Sequence, residues 1–289
     1  MQSGKSRYSS AKRNTAKASR TKKNSRRGQR GKRRWRLRSW PVLLGIILVA
    51  AAYIGVFYIY FVGPFSFRWK AMYGETVYPE GYDVRGIDIS HYQASIDWEK
   101  LRNASMDNDP ISFVIIKATE GTSLTDENFN ENFYEAGRND FVRGAYHFFV
   151  PGMNAAMQAK FFLHQVHLEP GDLPPVLDVE KMGNLTPAQL RRDVKTWLDI
   201  VEAKYHVKPI LYTGHKFKMD YLNDSIFAQY PYWIAHYYVN KLEYKGDWVM
   251  WQHTDCGRVS GIRGQVDCNI FNGSMQDLKN LTLQEEDFD

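Results

Sequence analysis

The chain has 289 residues, 44% of them hydrophobic and 15% aromatic, which is enough for one large packed domain or two small ones. Its net charge of +6 conceals a division, because residues 1–38 hold 16 of the 38 Lys and Arg residues and no acid. The remainder has 22 basic against 32 acidic residues, a net charge of −10, which argues against a polyanion such as nucleic acid bound on a basic face.

Residues 1–38 form a basic arm of Lys, Arg, Ser and Gly with almost no apolar side chains. Such a segment cannot bury enough apolar surface to offset the entropy of ordering, so we predict a disordered cytoplasmic arm. Basic runs beside an apolar segment usually orient the chain and contact anionic lipid. We therefore expect no nucleic-acid partner for the arm.

Residues 39–63 are predicted to form a transmembrane helix that acts as a signal anchor. Residues 42–62 run for 21 positions without a charge, which at ~1.5 Å per residue roughly matches the ~30 Å hydrocarbon core of a bilayer. The concentration of Lys and Arg before this run predicts a single-pass protein of the cytoplasmic membrane. Its amino terminus would be cytoplasmic and its remainder would lie on the periplasmic or cell-wall side.

A cleaved signal peptide is the alternative interpretation of this apolar run. The apolar region of a signal peptide is shorter, ~7 to 15 residues, and small residues at a cleavage site follow it. The segment FVGPFSF that ends the run here offers no such site. The anchor is therefore the favoured interpretation.

Residues 64–83 contain Pro and Gly and are predicted to be a spacer, after which strand-like and helix-like segments alternate. Helical segments follow the first five strands, and Ser95 and Thr186 are predicted to cap two of these helices. Eight strands are predicted, at residues 84–90, 112–118, 141–150, 173–180, 208–214, 230–237, 247–253 and 264–271.

The apolar runs are nearly continuous, which is typical of parallel strands covered on both faces. We predict an α/β fold for residues 84–280, an irregular (β/α)8-like barrel of the TIM type whose last three units are degenerate. An acidic tail at residues 281–289 follows. A doubly wound open sheet is the alternative, but a Gly-rich phosphate turn does not follow the first strand.

Two cysteines, Cys256 and Cys268, belong to the part of the chain predicted to be exported, where a disulfide is chemically allowed. They either form one bridge or remain two buried thiols. No C-x-x-C pair or His cluster suggests a metal site, and we expect no cofactor.

Four carboxylates fall near predicted strand ends. Asp178 and Glu180 are two residues apart, so their side chains project to the same side of the fourth strand. Asp88 lies just before the end of the first strand, and Asp267 is placed in the same relation in the eighth. Because the first and eighth strands of a closed barrel are neighbours, the four acids could surround one cleft at the mouth where barrel active sites form.

Crowding these acids in partial burial should raise at least one pKa and leave a proton donor beside ionised groups. This combination is what the cleavage of a glycosidic bond requires. The alternative is that the acids form ordinary salt bridges with Lys117, Arg85 or histidines.

Aromatic residues fall at the same predicted end of the barrel. Sugars present apolar C–H faces that pack on aromatic rings, and a tyrosine hydroxyl can also hydrogen-bond to them. A carbohydrate groove is therefore predicted, although any one of these rings alone could belong to the core. The candidate substrate-binding residues are Tyr146, Phe148, Tyr212, Trp233 and Tyr237.

With these residues identified, the sequence resembles the glycoside hydrolase family 25 lysozymes, muramidases of the Chalaropsis type. The resemblance covers residues 84–278 and includes seven motifs in family order. They are GIDISHYQASIDW, FVIIKATEG, GAYHFF with the following QAKFFL, PPVLDVE, PILYTG, YWIAHY and WQHTDCGRVSGIRGQVDCNIF.

The resemblance implies an irregular barrel that hydrolyses the β-1,4 bond between N-acetylmuramic acid and N-acetylglucosamine in peptidoglycan glycan strands. It implies that Glu180 is the general acid/base, that Asp178 assists it, and that Asp88 and Asp267 complete an acidic ring. It also places four tyrosine and tryptophan rings where the family contacts sugars, namely Tyr146, Tyr212, Trp233 and Tyr237.

Departures from the family pattern are small. Ala94 stands where glycine is frequent, His236 stands where arginine is frequent, and the two cysteines are not characteristic of the family. Two other hypotheses remain open at this point. The first is a catalytically silent, membrane-tethered peptidoglycan-binding protein, and the second is a hydrolase of a related glycan such as chitin.

Overall fold

A computed structural model describes residues 40–62, 78–239 and 241–288. The predicted arm at residues 1–38 and most of the predicted spacer lie outside the described residues. The chain divides into two units, with the boundary between Phe57 and Tyr58. The two units are an apolar helix and an α/β barrel.

The helix α1 spans Trp40–Phe57 and continues as a wider helical turn at Tyr58–Val62. The segment Trp40–Tyr60 has 21 residues and a mean hydropathy of 2.6, and no part of its apolar window is buried by the chain. This confirms one helix long and apolar enough to cross a membrane. Its insertion and orientation stay predictions.

Ten strands form the sheet of the second unit. In chain order they are β1 Arg85–Ile89, β2 Ser105–Met106, β3 Asp109–Glu120, β4 Leu124–Thr125, β5 Val142–Phe148, β6 Val176–Asp178, β7 Ile210–Gly214, β8 Tyr232–Ala235, β9 Met250–Gly257 and β10 Val266–Phe271. The short strands β2 and β4 pair only with β3.

The other eight strands close into a barrel in the order β1, β3, β5, β6, β7, β8, β9 and β10, and β10 pairs back to β1. Neighbouring strands from β1 to β9 are parallel, whereas β10 is antiparallel to both β9 and β1. The prediction of a closed barrel of eight strands is confirmed. The last strand runs in the opposite direction to the other seven.

Helices cover the outside of the barrel and follow the first five strands, as predicted. They are α2 Trp98–Arg102, α3 Phe129–Arg138, α4 Ala155–Gln165, α5 Pro187–Tyr205 and α6 His215–Phe217, and α7 Met275–Leu281 comes after β10.

Thr186 caps α5 as predicted, because its hydroxyl accepts a hydrogen bond from the backbone N–H of Gln189 in a capping box. The prediction of Ser95 as the cap of α2 is wrong. The carboxylate of Asp97 accepts from the backbone N–H of Lys100 instead, and α2 begins one residue later, at Trp98. This start places Trp98 and Leu101 together among the buried residues.

Alternation along the strands divides the core into two layers. On β3, Phe113 and Ile115 point into the barrel, whereas Val114 and Ile116 point outward under the helices. Gly86 on β1 makes room for the inner layer, since a Cβ atom there would lie 2.3 Å from the Phe113 ring. The apolar inner cluster comprises Val84, Phe113, Ile115, Leu173, Val176, Ile210, Tyr212, Trp233, Met250, Phe271 and Leu278.

The ends of the barrel unit pack against its core. Tyr78 and Tyr82, at the end of the predicted spacer, are partly buried against the outer cluster. Leu283, within the predicted acidic tail, is buried, and its backbone N–H donates to the carbonyl of Asp172 at 2.8 Å. The described parts of both segments therefore contribute to the barrel unit.

The two cysteines are free in the structure. Cys256 lies on β9 and Cys268 on β10, and both are buried. Of the two arrangements that the sequence allows, the structure has the two buried thiols.

Candidate active site

A pocket of about 210 Å³ opens where the parallel strands of the barrel end. All nine predicted site residues line it, although their individual roles stay predictions. Besides these nine, the lining residues are Ile89, Ser90, Tyr92, Gln93, Lys117 and Gln252.

The acids of β1 and β10 face each other across a strand pair. The Cα atoms of Asp88 and Asp267 are direct partners in the antiparallel register. Asp267 was expected near the end of its strand, as Asp88 is, and this expectation is wrong. Asp267 is the second residue of β10, and it reaches the pocket because an antiparallel strand starts where its parallel neighbours end.

The acids of the fourth barrel strand follow from alternation on β6. Val176 belongs to the inner cluster, and Asp178 is the next inward position, opposite Phe148 on β5 and Tyr212 on β7. The chain stays extended past β6, because the N–H of Val179 donates to the carbonyl of Tyr212 at 3.0 Å. Glu180 therefore also reaches the pocket, one step closer to solvent than Asp178.

Two amide side chains hold Asp88 in place. Its Oδ1 atom accepts from Gln252 Nε2 and from Asn269 Nδ2, each at 2.7 Å. Asn269 Oδ1 accepts from Trp233 Nε1 at 2.8 Å. Gln252 Oε1 accepts from the hydroxyls of Tyr212, at 2.7 Å, and of a second tyrosine, Tyr237, at 2.6 Å.

Gln252 and Asn269 were missed by the sequence analysis. Only their positions in the sequence could have indicated them. Asn269 is two residues from Asp267 on β10, and Gln252 is two residues from inward-facing Met250 on β9, so alternation turns both side chains inward. Both amides are buried, and each uses its NH₂ group on Asp88. They fix the orientation of this carboxylate.

The same network determines what the aromatic residues present to the pocket. Trp233 is only 2% exposed, its indole N–H is occupied, and its ring lies edge-on to Tyr212 at 4.5 Å between centroids. These two rings form the base of the pocket. Tyr146 and Tyr237 are half-buried and have more surface open to a ligand.

Phe148 is flanked by cations. The ammonium groups of Lys117 and Lys181 lie 5.1 Å and 5.0 Å from the centre of its ring. Lys117 forms an ion pair with Glu120 at 2.6 Å, and Arg85 pairs with Asp109 at 3.2 Å. Lys117 and Arg85, which were considered as salt-bridge partners for the four acids, are thus paired with other carboxylates.

We expect Asp88 and Asp267 together to retain a proton at neutral pH, because the pKa is raised to about 6 in Asp88 and to about 9 in Asp267. Burial raises the pKa of Asp267 above its usual value, and the charge of Asp88 raises it further. Burial also raises the pKa of Asp88, but hydrogen bonds from Asn269 and Gln252 lower it. Asp267 is therefore the acid that holds the proton, and Asp88 is the one that ionises first.

Burial raises the pKa of Asp178 well above its usual value, and the charges of Glu180 and Asp88 add to the effect. Asp178 Oδ1 is buried and has no hydrogen-bond partner among the described residues. Burying a carboxylate oxygen without a hydrogen-bond partner costs free energy. This atom is therefore positioned to accept a hydrogen bond from a ligand or to contact a positively charged part of it.

Glu180 is the most accessible of the four acids. Its side chain as a whole is exposed, yet protein atoms surround its carboxyl group closely enough that burial raises its pKa. The charges of Lys181 and Lys117 lower the pKa and partly offset that increase. Glu180 therefore combines access to solvent with a raised pKa, and a substrate covering the pocket would raise that pKa further.

The pocket offers acids, hydrogen-bond donors and aromatic surface. Within residues 40–62, 78–239 and 241–288, His, Cys, Asp and Glu side chains form no group of three or more that could hold a metal ion. Proton transfer and charge stabilisation by carboxylates are the chemistry that these side chains can perform.

Comparison with known proteins identifies the family. Residues 87–262 match the model of the glycosyl hydrolases family 25. The chain is 42% identical to protein YegX of Escherichia coli K12 over 202 residues, which are 70% of this chain and 74% of YegX. It is 34% identical to lysozyme M1 of Streptomyces globisporus over 206 residues, which are 66% of this chain and 68% of that enzyme.

The fold has solved counterparts as well. The crystal structure of the bacterial lysozyme from Streptomyces coelicolor superposes with a TM-score of 0.64 and 31% sequence identity, over 70% of this chain and 98% of that one. The family resemblance seen in the sequence motifs is therefore confirmed by sequence and by structure.

Proposed function

Because the chain belongs to glycosyl hydrolase family 25 and is a glycoside hydrolase, we propose that it is an N-acetylmuramidase that cuts peptidoglycan glycan strands. The bond cleaved would be the β-1,4 bond between N-acetylmuramic acid and N-acetylglucosamine. The observation that carries this proposal is the convergence of four carboxylates from three strands on one aromatic-lined pocket. Lysozyme M1 and the Streptomyces coelicolor lysozyme, to which the chain is similar, support the choice of substrate.

Glu180 acts as the general acid in this mechanism. Its proton passes to the glycosidic oxygen as the bond from that oxygen to the anomeric carbon breaks, and the leaving sugar departs as an alcohol. Glu180, now ionised, then takes a proton from the water that attacks the anomeric carbon. The position of Glu180 at the solvent side of the pocket suits both steps, because leaving group and water must reach it.

Asp178 in its ionised form stabilises the positive charge that develops at the anomeric carbon, and that charge in turn lowers the pKa that burial raises. Its unpartnered Oδ1 atom supports this role. It acts either directly on that carbon or by orienting the 2-acetamido group of the substrate, which then forms an oxazolinium. Two successive displacements follow in either case, so the product retains the β configuration.

Asp88 and Asp267 complete the acidic ring as one unit that shares a proton. One neutral carboxyl reduces the repulsion that four ionised acids would otherwise exert on each other. The pair then presents both a donor and an acceptor to sugar hydroxyl or acetamido groups. Tyr146, Phe148 and Tyr237 would contact the sugar, above the base formed by Tyr212 and Trp233.

The experiment that tests this function is the digestion of purified peptidoglycan by the full chain in detergent micelles. Mass spectrometry should find fragments that end in reducing N-acetylmuramic acid, and NMR during the reaction should detect the β anomer first. A protein that only binds would sediment with peptidoglycan without releasing fragments. A chitinase would release sugars from chitin faster than from peptidoglycan, and an inverting enzyme would yield the α anomer first.

The helix α1 supports a proposal about location. We place the barrel outside the cytoplasmic membrane, with α1 as a single-pass anchor and the basic arm in the cytoplasm. About 15 residues separate Val62 from Tyr78, and a linker of that length spans only a few tens of Å, so the enzyme would reach glycan close to the membrane. This geometry favours local remodelling of the wall over attack on other cells. Protease treatment of intact spheroplasts should remove the barrel and spare the arm.

We also propose that the barrel is an irregular member of the (β/α)8 type. Five strand and helix units in succession and a pocket at the carboxyl ends of the strands support this classification. The antiparallel β10 is its main irregularity.

A further inference from the structure

Tyr92 is an exposed aromatic residue at the mouth of the pocket. It is 80% exposed, the highest fraction among the exposed large hydrophobic side chains of the described residues, and it lines the same pocket as Glu180. It belongs to the short helical turn His91–Gln93 that follows β1. A single exposed aromatic side chain is common on protein surfaces, so its surroundings decide whether it has a role.

The turn that carries Tyr92 is fixed at both ends. In a capping box, the Ser90 hydroxyl accepts from the N–H of Tyr92 at 3.3 Å, and Gln93 Oε1 accepts from the N–H of Ser90 at 2.9 Å. Gln93 Nε2 donates to the carbonyl of Gln265, before β10, at 3.1 Å. The backbone under Tyr92 is therefore tied to two strands of the barrel.

His91 supports the ring itself. The centroids of the His91 and Tyr92 rings are 4.1 Å apart, with 36° between the planes. The buried carboxylate of Asp126 accepts from the backbone N–H of His91 and contacts its Nδ1 atom, both at 2.9 Å. Tyr92 thus rests against a neighbour that is itself held, and most of its surface remains open to water.

The size of the pocket requires glycan contacts outside it. A volume of 210 Å³ is below the ~300–1,000 Å³ of pockets that enclose drug-sized ligands. A polymer whose bond is cut at Glu180 must therefore continue over the rim, where Tyr92 stands.

We propose that Tyr92 is a stacking platform for a sugar of the bound glycan strand that lies outside the pocket, next to the site of cleavage. The ligand chemistry is the apolar C–H face of an N-acetylhexosamine ring against the open surface of the phenol. A ring mounted on a fixed turn loses little conformational entropy on binding, which favours such a contact. This inference rests on the proposed function and adds a binding site to it.

The test compares three variants of the full chain in detergent: Tyr92→Ala, Tyr92→Trp and the control Tyr134→Ala. Tyr134 on α3 is 60% exposed and lies outside this pocket. For long glycan strands, KM of Tyr92→Ala should rise about 2- to 10-fold while kcat changes less than 2-fold, given the strength of aromatic contacts. Tyr92→Trp and Tyr134→Ala should keep the wild-type KM.

A short substrate separates the platform from general damage. For an oligosaccharide too short to reach the Tyr92 ring at the mouth of the pocket, Tyr92→Ala should match wild type in both constants. An unchanged KM of Tyr92→Ala on long strands would overturn the proposal, as would an equal loss on short and long substrates.

A binding assay separates this proposal from the proposed function. Sedimentation with insoluble peptidoglycan in a Glu180→Gln background needs no turnover. Adding Tyr92→Ala to that background should weaken the binding of the protein to peptidoglycan about 2- to 10-fold, the factor by which it should raise KM. A wild-type chain that releases no reducing ends contradicts the proposed function. Equal retention with and without Tyr92→Ala contradicts the platform.

Discussion

The two ends of the barrel interior use the same strands for different purposes. Towards the amino ends of the parallel strands, inward positions such as Phe113, Val176 and Ile210 form an apolar layer. Two residues further on, Asp178 continues the face that Val176 begins, and its pKa is raised by burial. The apolar layer stabilises the fold, whereas the polar layer costs stability because its acids are buried. The difference shows that one alternating pattern can provide both a core and a site.

The largest effect should come from the acid of the polar layer. Glu180→Gln keeps the shape of the side chain but removes the transferable proton, so turnover should fall roughly 10²- to 10⁴-fold. The release of reducing ends from peptidoglycan measures it, and thermal unfolding should be almost unchanged. Glu131→Gln on α3, outside the pocket, is the matched control and should retain activity. Near-normal turnover by Glu180→Gln would show that another group is the acid.

The amide network should produce the next effect. Asn269→Ala removes a hydrogen bond from ionised Asp88 and leaves the Trp233 indole without its acceptor, so Asp88 should become less acidic. We expect a fall in kcat of about tenfold, since a hydrogen bond to a charged group contributes roughly 1.5–3 kcal/mol and only part of it bears on catalysis. Steady-state kinetics across a range of pH measures both the fall in kcat and the shift in the pKa of Asp88. Asn272→Ala, after β10 and outside the pocket, should be neutral in kcat.

The apolar layer should respond in stability and not in chemistry. Gly86→Ala places a Cβ atom 2.3 Å from the Phe113 ring, so we expect a loss of about 1–3 kcal/mol in the free energy of unfolding. Urea denaturation of the barrel measures it, and kcat of the folded fraction should stay within twofold of wild type. Gly214→Ala has no atom within 4 Å of the added Cβ and is the control. If the free energy of unfolding of Gly86→Ala equals that of wild type, the inner layer is loosely packed.

The smallest effect should be a shift in pH dependence. The charge of Lys181 lowers the pKa of Glu180, so Lys181→Met should raise that pKa. Because the general acid works in its protonated form, the alkaline limb of kcat/KM against pH should move to higher pH, by about half a unit or less given solvent screening. Lys160→Met on α4 should leave the profile unchanged. A shift to lower pH would contradict the electrostatic assignment.

Much of the fold followed from the sequence because alternation and length mark strands and helices directly. Eight apolar runs separated by amphipathic segments allow few arrangements, and the closed barrel is the one found. The direction of β10 was not predictable, because a short strand without a preceding helix has the same pattern in either direction. Ser95 was predicted as a cap from its residue type, but aspartate favours that position equally, and only tertiary packing decides that α2 starts after Asp97.

The acids of the site were easier to predict than their supports. Paired carboxylates after an apolar run are conspicuous, whereas Gln252 and Asn269 are single polar residues within strands and resemble many surface positions. Trp233 was predicted from its residue type, its place on a strand and the family resemblance. The sequence does not show how deeply a side chain is buried, so its 2% exposure came only from the structure. Tyr92 was not singled out, because its environment depends on Asp126 and Gln265, far away in sequence.

The central claim is that burial and mutual repulsion keep a proton in the acidic pocket at neutral pH. Titration of the Asp and Glu side-chain carboxyls by ¹³C NMR tests it most directly, with Asp267→Asn, Asp178→Asn and Glu180→Gln to assign the signals. We predict that at least one pocket carboxyl stays protonated at pH 7, and that Asp267 titrates above Asp88. Titration of all four carboxyls near the ordinary values of about 3.9 and 4.3 would contradict the account.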